Sequence, residues 1–342
     1  MVVLSLLAAS LLLAAGARAE HHMKKSIAKR QSGGGNVPML IANWCPNDIW
    51  PGVITQGGSG ADMTGFKLSP GMNQTIHVSS DWQGRIWGRT NCSFDSTGQP
   101  NGGSSRACST GDCGSLQCEI AGASPATLAE FTLDGGQDQT FYDISLVDGY
   151  NLPMAIVMTP DSNHANIRSN FGSETNPVCV ASVGNLAPQT FNPYANGQQF
   201  LGTNSQNPLP FNTKVTAQNV ANWCPWDLQV NAPLAPGDGV YPYPDSNVQR
   251  PAFNPCLSAC AKYNSDGYCC LGSSNGPDKC SPNYYSKAAK NVCPDAYSYA
   301  YDDQDSTFII PKGPGFQVVF CPGGRSTQIL ATQYVPCIAI LN

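Results

Sequence analysis

Fifteen cysteines spread along 342 residues constrain the fold of this chain more than any other feature. In a protein exported from the cell, thiols at this density are usually paired as disulfides. Zinc binding is the competing interpretation, because the spacings of Cys113 with Cys118 and of Cys256 with Cys260 suit metal ligands. The four histidines, however, lie near none of these cysteines. The sequence therefore predicts a disulfide-stapled protein without a metal site, in which the odd number leaves one thiol over.

The first 19 residues have the pattern of a signal peptide for secretion. An apolar stretch at 2–16 precedes Ala17-Arg18-Ala19, whose small residues place the expected cleavage after Ala19. This stretch is short for a membrane span of about 20 residues, so a membrane anchor is the weaker interpretation. Residues 20–37 are expected to be a propeptide and flexible leader, either cut again at Lys29-Arg30 or left as an uncut disordered segment. We therefore expect a secreted protein, extracellular or in the cell wall.

The charge balance excludes several classes of partner. The chain has 18 basic and 23 acidic residues, and without residues 1–30 it keeps 13 and 22, a net charge of −9. Such a surface repels nucleic acid and anionic membranes. Only 12% of the chain is charged, while 34 Gly and 27 Pro indicate many turns, which favours a mainly β fold with long loops. The motifs of serine hydrolases, nucleotide-binding loops and zinc proteases are missing from the sequence.

A β-hairpin is predicted in the first half of the chain. Its arms are 128–134 and 140–147, joined by a turn at 135–138. Pairing about the centre of the turn sets Phe131 opposite Tyr142 and Glu130 opposite Asp143. Because side chains alternate between the two faces of a strand, the aromatic pair lies on one face and the two acids on the other. A register slip of one residue would separate the acids.

Shorter patterns complete the prediction of secondary structure. Strands are expected at 39–43, at 65–78 with a turn marked by Pro70-Gly71, and at 307–320, and short helices at 256–263 and 284–293. Residues 159 to about 255 are rich in Asn, Gln, Pro and Gly, which is typical of long loops. Asn73-Gln74-Thr75 is a predicted glycosylation acceptor. A second candidate, Asn91-Cys92-Ser93, is weaker because its cysteine is expected to be bridged.

Six motifs, in order along the chain, resemble the signature of the thaumatin-like or osmotin-like proteins. They are WGRTNCSFD at 87–95, TGDCG at 110–114, TLAEF at 127–131, FYDISLVDGYN at 141–151, YCC at 268–270 and CPDAYSY at 293–299. The resemblance runs from about Pro38 to Pro322. The stretch from about 180 to 255 is longer than in plant members, which suggests a fungal-type member of the family.

The resemblance implies a mainly β fold, with a β-sandwich core, a disulfide-rich region of loops and short helices, and an acidic cleft between them. The core is expected at 38–158 with 294–322, the loop region at 159–293 and a C-terminal tail at 323–342. Seven of the family's eight disulfides are implied here, namely Cys45–Cys321, Cys92–Cys108, Cys113–Cys118, Cys179–Cys293, Cys224–Cys256, Cys260–Cys269 and Cys270–Cys280. Ile309-Ile310 stands where a cysteine of the eighth would lie, and Cys337 is the odd thiol.

The resemblance also implies which residues line the cleft, described in the family by one Arg, one Glu and three Asp. The matching residues are Arg85, Glu130, Asp143, Asp148 and Asp302, with Arg89 as the alternative arginine and Asp303 and Asp305 as close neighbours of the last acid. Glycoside hydrolysis needs one carboxylic acid and one carboxylate. We expect Glu130 to be the acid and Asp143 its catalytic partner, with the other residues binding substrate and Arg85 orienting a carboxylate.

The function implied by the resemblance is binding of β-1,3-glucan in cell walls, with endo-β-1,3-glucanase activity left open. The alternative is a non-enzymatic antifungal, defence or glucan-binding protein. We expect a monomer that needs no cofactor and has no membrane span. Calcium binding by the carboxylates is not favoured, because the sequence contains no loop of spaced Asp, Asn and Gly.

Overall fold

The structure is a computed structural model that describes residues 36–159, 176–179, 224–230, 255–313 and 315–322. The predicted signal peptide, the leader as far as residue 35 with Lys29-Arg30, and the C-terminal tail with Cys337 lie outside the described residues, whereas Asn36 and Val37, expected in the leader, begin the first strand. So does most of the stretch from about 180 to 255 that suggested a fungal-type member.

Ten strands form two five-stranded sheets within the described residues. The first sheet has the order β3 (Asn73–Ser79), β1 (Asn36–Asn43), β10 (Gly315–Phe320), β7 (Met154–Thr159) and β8 (Val178–Cys179). The second has the order β2 (Ile49–Gly57), β4 (Gln83–Thr90), β5 (Leu128–Thr132), β6 (Gln139–Ser145) and β9 (Phe308–Pro311). All neighbours are antiparallel except β1 and β10. The expected mainly β fold class is confirmed.

Among the residues that the structure describes, the α-helices are short and lie in the second half of the chain. They are α1 (Ala259–Tyr263), α2 (Asp266–Cys269), α3 (Tyr284–Val292) and α4 (Asp303–Ser306). Ser258 caps α1 by accepting from the backbone N–H of Ala261, and Asn283 caps α3 in the same way through Ser286. Within the described ranges, none of these helices has the length and apolar character needed to cross a bilayer.

The hydrophobic core lies between the inner faces of the two sheets. Phe316 of β10 crosses this space, with its ring centroid 5.1 Å from Phe131 of β5 and 4.9 Å from Tyr142 of β6. All three side chains are fully buried. Tyr285 and Ala289 of α3 belong to the same buried cluster, so the helical region packs onto the sandwich core. Burial of these aromatic rings, together with the aliphatic side chains of the same cluster, stabilises the fold.

The structure confirms the predicted hairpin in its register and corrects two strand boundaries. Glu130 pairs with Asp143, and Phe131 pairs with Tyr142. The turn predicted at Pro70-Gly71 is confirmed, with Gly71 at φ +74°, whereas the residues before it form only isolated bridges at Gly65 and Leu68, so the strand within 65–78 begins at Asn73. The strand predicted at 307–320 is two strands, and Gly313, with φ +137°, lies at the break between them. β8 lies in the stretch expected to be loop, where it pairs with β7.

Seven disulfides connect the described residues, and they are the seven pairs that the resemblance implied. Cys45–Cys321 joins residues 276 apart in sequence, at the ends of β1 and β10. Cys179–Cys293 connects β8 to the end of α3. Cys260–Cys269 and Cys270–Cys280 close short loops around α1 and α2. The disulfides therefore both close the core and hold the helical region, whose helices are too short to be stable alone.

The indole of Trp87 packs directly against glycine residues, at positions where a larger residue would clash with it. Its indole N–H donates to the carbonyl of Gly111 at 2.8 Å, and the side chain is buried against the Cys113–Cys118 disulfide. A Cβ atom on Gly52 would lie 2.6 Å from the indole ring, and one on Gly122 would lie 2.3 Å from its nitrogen. The indole thus holds the loop that carries this disulfide against β4.

Arg89 anchors the same loop from the next outward position of β4. Its guanidinium donates to the carbonyls of Trp50 and Pro51 on one side, at 2.9 and 3.1 Å, and to those of Ser115 and Leu116 on the other, at 2.7 and 2.8 Å. A fifth contact, to Sγ of Cys113 at 3.2 Å, uses the last donor. Burial lowers the pKa of Arg89 to about 10, with the charge of Asp112 opposing this shift. The five donors explain why an arginine is suited to this position.

We expect removal of Cys45–Cys321 by the double change Cys45→Ala and Cys321→Ala to lower the free energy of unfolding by about 5 kcal/mol, since this bond closes a very long loop. The double change Cys260→Ala and Cys269→Ala is the matched comparison, because its loop spans only nine positions and a loss of roughly 3 kcal/mol is expected. Denaturant unfolding measures both. Equal losses would contradict the loop-length explanation.

We expect Arg89→Lys to destabilise the fold by about 3 kcal/mol, because lysine has a single ammonium group and leaves buried carbonyls unpaired. Arg106→Lys is the control, since Arg106 is exposed, and it should change stability by less than about 0.5 kcal/mol. Thermal and denaturant unfolding give both values. A stable Arg89→Lys protein would show that the loop does not depend on the guanidinium.

Candidate functional site

Three ionisable side chains form a row across the outer face of the second sheet. In the strand register, Arg85 of β4 pairs with Glu130 of β5, and Glu130 pairs with Asp143 of β6. Their neighbours Phe131 and Tyr142 point the other way, into the core. We refer to Arg85, Glu130 and Asp143 as the charged row. The alternation of the hairpin brings the two acids together, as predicted.

Arg85 and Glu130 form an ion pair that is almost fully removed from solvent. Arg85 Nε contacts Glu130 Oε1, and the side chains are 4% and 1% exposed. Asp143 is 4% exposed. Buried charges are costly unless they are paired, so a pair in this position must be held in good geometry by the strands that carry it. The fixed register of β4 with β5 provides that geometry.

Two oxygen atoms of the charged row lack a hydrogen-bond partner among the described residues. They are Oε2 of Glu130 and Oδ1 of Asp143, and both are buried. A buried polar atom without a partner costs about 1–3 kcal/mol, so such atoms are rare unless a proton, a water or a ligand group binds there. The row therefore has unused acceptor capacity at its acidic end.

Asp143 is the carboxyl group whose environment favours the protonated form. Burial raises the pKa of Asp143 well above its usual range, and the negative charge of Glu130 raises it further. The charge of Arg85 opposes this shift, and that of Asp303 adds to it. Glu130 is ion-paired to Arg85, whereas the surroundings of Asp143 favour its protonated form. The direction of this shift favours Asp143 over Glu130 as a proton donor, and the catalytic roles of both residues stay predictions.

Asp303, rather than Asp302, is the additional acid whose negative charge raises the pKa of Asp143. Tyr297 donates its hydroxyl to Oδ1 of Asp303 at 2.8 Å and also contacts the hydroxyl of Thr307. Backbone hydrogen bonds hold Tyr297 beside the end of β6, through Ile144 and Leu146. Burial raises the pKa of Tyr297, and the charge of Asp143 raises it further. Tyr297 therefore links Asp303 to the acidic end of the row.

Asp302 is held by hydrogen bonds within its own segment, and its expected place in the cleft stays a prediction. Its Oδ2 accepts from Lys290 Nζ at 3.0 Å and from both the backbone N–H and the hydroxyl of Ser298, at 3.0 and 2.8 Å. Lys290 also donates to the hydroxyl of Ser306 at 2.7 Å. These bonds fix the segment that ends in α4 and thereby set the position of its neighbour Asp303. The side chain of the other alternative, Asp305, lies outside the described residues.

Asp148 lies after the end of β6 and Arg89 is paired with Trp50, so neither belongs to the strand pairs that form the charged row. Asp148 follows β6 in a turn where the N–H of Gly149 donates to the carbonyl of Leu146 at 2.9 Å. Burial raises the pKa of Tyr285, and the negative charge of Asp148 raises it further. Arg89 has all five donors occupied by the loop it anchors. Arg85 is therefore the arginine of the row.

The predicted glycosylation acceptor Asn73 is exposed at the start of β3, and its modification stays a prediction. Asn91 is exposed too, but its Nδ2 donates to the hydroxyl of Ser109 at 3.0 Å, and Cys92 beside it is in a disulfide. The structure thus favours Asn73 over Asn91. Among the described residues, no group of three or more His, Cys, Asp or Glu is arranged to hold a metal ion.

Sequence reasoning did not single out Tyr297 as part of the site. The residue lies within the motif at 293–299, but its contact with Asp303 depends on how the chain returns to the end of β6. No pattern of spacing between neighbouring residues indicates that contact.

Comparison with known proteins identifies the family. The model of the thaumatin family matches residues 43–322. A thaumatin-like protein 1 of Pyrus pyrifolia is 36% identical over 298 residues, which are 85% of this chain and 93% of the relative. Pathogenesis-related protein 5 of Arabidopsis thaliana is 35% identical, over 82% and 89% of the two chains. A protein of Prunus avium named glucan endo-1,3-beta-glucosidase is 34% identical, over 85% and 93%.

The family model covers most of the chain, including every strand of both sheets except β1, of which it reaches only Asn43. The relatives match along nearly their whole length at more than 30% identity. Together with the two sheets and the seven disulfides, these matches show that the chain belongs to the thaumatin family.

Proposed function

We propose that this chain is an exported protein that binds β-1,3-glucan and cleaves it with Asp143 and Glu130. The observation that carries the proposal is the pairing of a carboxyl group with a raised pKa, Asp143, directly opposite an ion-paired carboxylate, Glu130. Glycoside hydrolysis needs this combination of acid and carboxylate. The relative named glucan endo-1,3-beta-glucosidase supports the choice of substrate. The seven disulfides support export to an oxidising compartment.

The proposed roles follow from the charges in the row. Asp143 donates its proton to the glycosidic oxygen as the bond to the sugar breaks. Glu130 supplies the carboxylate that stabilises or attacks the sugar carbon, and Arg85 orients that carboxylate.

A second candidate is a defence protein that binds glucan without cleaving it. The near-complete burial of Glu130 and Asp143 favours this candidate, since a polymer must reach both carboxyl groups before it is cleaved. The relative named pathogenesis-related protein 5 supports it as well. In this case the charged row is a structural network within the sheet. Turnover separates the two candidates.

We expect the wild-type protein to release reducing sugar from laminarin, and Glu130→Gln and Asp143→Asn each to lower the rate about 100-fold or more. Both variants should still sediment with insoluble β-1,3-glucan. Each change removes a charge or a proton while keeping the size of the side chain.

The matched controls are Glu119→Gln and Asp278→Asn, because both residues are exposed. They should retain the full rate. Binding without sugar release by the wild type would support the defence protein and overturn the catalytic roles. The absence of both binding and release would overturn the glucan proposal altogether.

The raised pKa of Asp143 also predicts how stability depends on pH. The folded state holds this proton more tightly than the unfolded state, whose carboxyl has an ordinary pKa near 3.8. The wild type should therefore lose stability as the pH rises from about 4 through the raised pKa. The asparagine of Asp143→Asn does not titrate, so the free energy of unfolding of this variant should increase relative to that of the wild type as the pH rises over this range. Denaturant unfolding at several pH values measures the difference, and a constant difference would show that Asp143 is ionised in the folded protein.

A further inference from the structure

Three tyrosines of the disulfide-rich region form an exposed aromatic surface around one aspartate. Tyr263, Tyr268 and Tyr284 are 47%, 36% and 39% exposed. The hydroxyls of Tyr263 and Tyr284 both donate to Oδ2 of Asp227, at 2.6 and 2.8 Å. The ring centroid of Tyr268 lies 5.8 Å from that of Tyr263 and 6.1 Å from that of Tyr284. We refer to these four residues as the tyrosine surface.

The tyrosine surface is held in place by covalent and capping interactions. Tyr263 ends α1 and Tyr268 lies in α2, and Cys260–Cys269 joins these two helices. Tyr284 is the first residue of α3, directly after the capping residue Asn283. The rings therefore do not need to be ordered when a ligand binds, which lowers the entropic cost of association. Such pre-organised tyrosines are typical of binding surfaces.

The size of the tyrosine surface suits a small or narrow ligand. Aromatic side chains bury about 150–250 Å² each, so three rings at these exposures offer on the order of 200–300 Å². A stable protein partner covers about 800 Å² on each side. A few rings of a polysaccharide chain match the smaller area.

The chemistry of the tyrosine surface favours a neutral, hydroxyl-rich ligand. The face of an aromatic ring carries partial negative charge, and it packs well against the C–H groups on one face of a pyranose. The Asp227 carboxylate accepts hydrogen bonds from hydroxyl groups and repels anions. Its hydrogen bond to Tyr263 raises the pKa of that tyrosine, so the hydroxyl stays neutral. A phosphate or an acidic polysaccharide is therefore disfavoured.

We propose that the tyrosine surface binds a neutral, β-linked cell-wall polysaccharide by stacking of pyranose rings, as a site separate from the charged row. The choice of β-1,3-glucan as the first probe rests on the proposed function. The same ring chemistry is offered by cellulose and chitin, so these polymers serve as separate arms of the test. The site would hold the protein on an insoluble wall, whereas the charged row would act on a single linkage.

The test compares sedimentation of the full chain with insoluble β-1,3-glucan, cellulose and chitin. The triple change Tyr263→Ser, Tyr268→Ser and Tyr284→Ser removes the rings, and we expect about tenfold weaker binding to the polymer that the wild type binds. The matching triple change to Phe keeps the rings and should retain most of the binding. Release of sugar from soluble laminarin should be unaffected in both variants.

The outcomes separate this inference from the proposed function. Tyrosine-dependent binding to cellulose or chitin, without β-1,3-glucan binding, would support the tyrosine surface and overturn the proposed function. Equal binding by the wild type and the Ser variant, or no binding by the wild type to any polymer, would overturn the tyrosine surface. Equal loss in the Phe and Ser variants would overturn the stacking mechanism. If sedimentation velocity shows a wild-type dimer that the Ser variant does not form, the surface is instead an interface between two copies.

Discussion

The ion pair between Arg85 and Glu130 is the interaction on which the functional face of the second sheet depends. It joins β4 to β5, the middle strand of that sheet. Because loss of one partner would leave a buried charge, the pair favours one register of these strands over any slipped alternative. The same register turns Phe131 inward, where its ring contacts Phe316 of the other sheet. The charged row and the aromatic core are therefore two faces of one pairing pattern.

The disulfides support the part of the molecule that the core does not stabilise. The sandwich buries many aromatic and aliphatic side chains, whereas α1 and α2 are five and four residues long. Helices of that length are unstable without tertiary support. The bonds at Cys260 and Cys270 provide this support and leave the neighbouring tyrosines exposed on a fixed backbone. A rigid aromatic surface can thus exist where there is little core beneath it.

The charged row and the tyrosine surface use solvent in opposite ways. Exclusion of water raises the pKa of Asp143, because the charged form of a buried carboxyl is disfavoured. The tyrosine surface instead needs contact with solvent so that the faces of its rings meet a ligand. A polymer held at an exposed surface also increases the local concentration of linkages near a less accessible site. This difference is the physical basis for proposing that binding of the polymer and cleavage of its linkages take place at separate sites.

The sequence by itself determined the hairpin, its register and the pairing of Glu130 with Asp143, because strand alternation and turn residues are local properties. The family motifs determined the disulfide pairs and pointed to Arg85. Only the tertiary structure distinguished Arg85 from Arg89 and Asp303 from Asp302 as neighbours of the two acids. Lys290 binds Asp302 and leaves Asp303 beside Tyr297, and the loop at Ser115 occupies Arg89. The raised pKa of Asp143 also follows from the tertiary structure, since a pKa depends on burial and on charges brought together from distant parts of the chain.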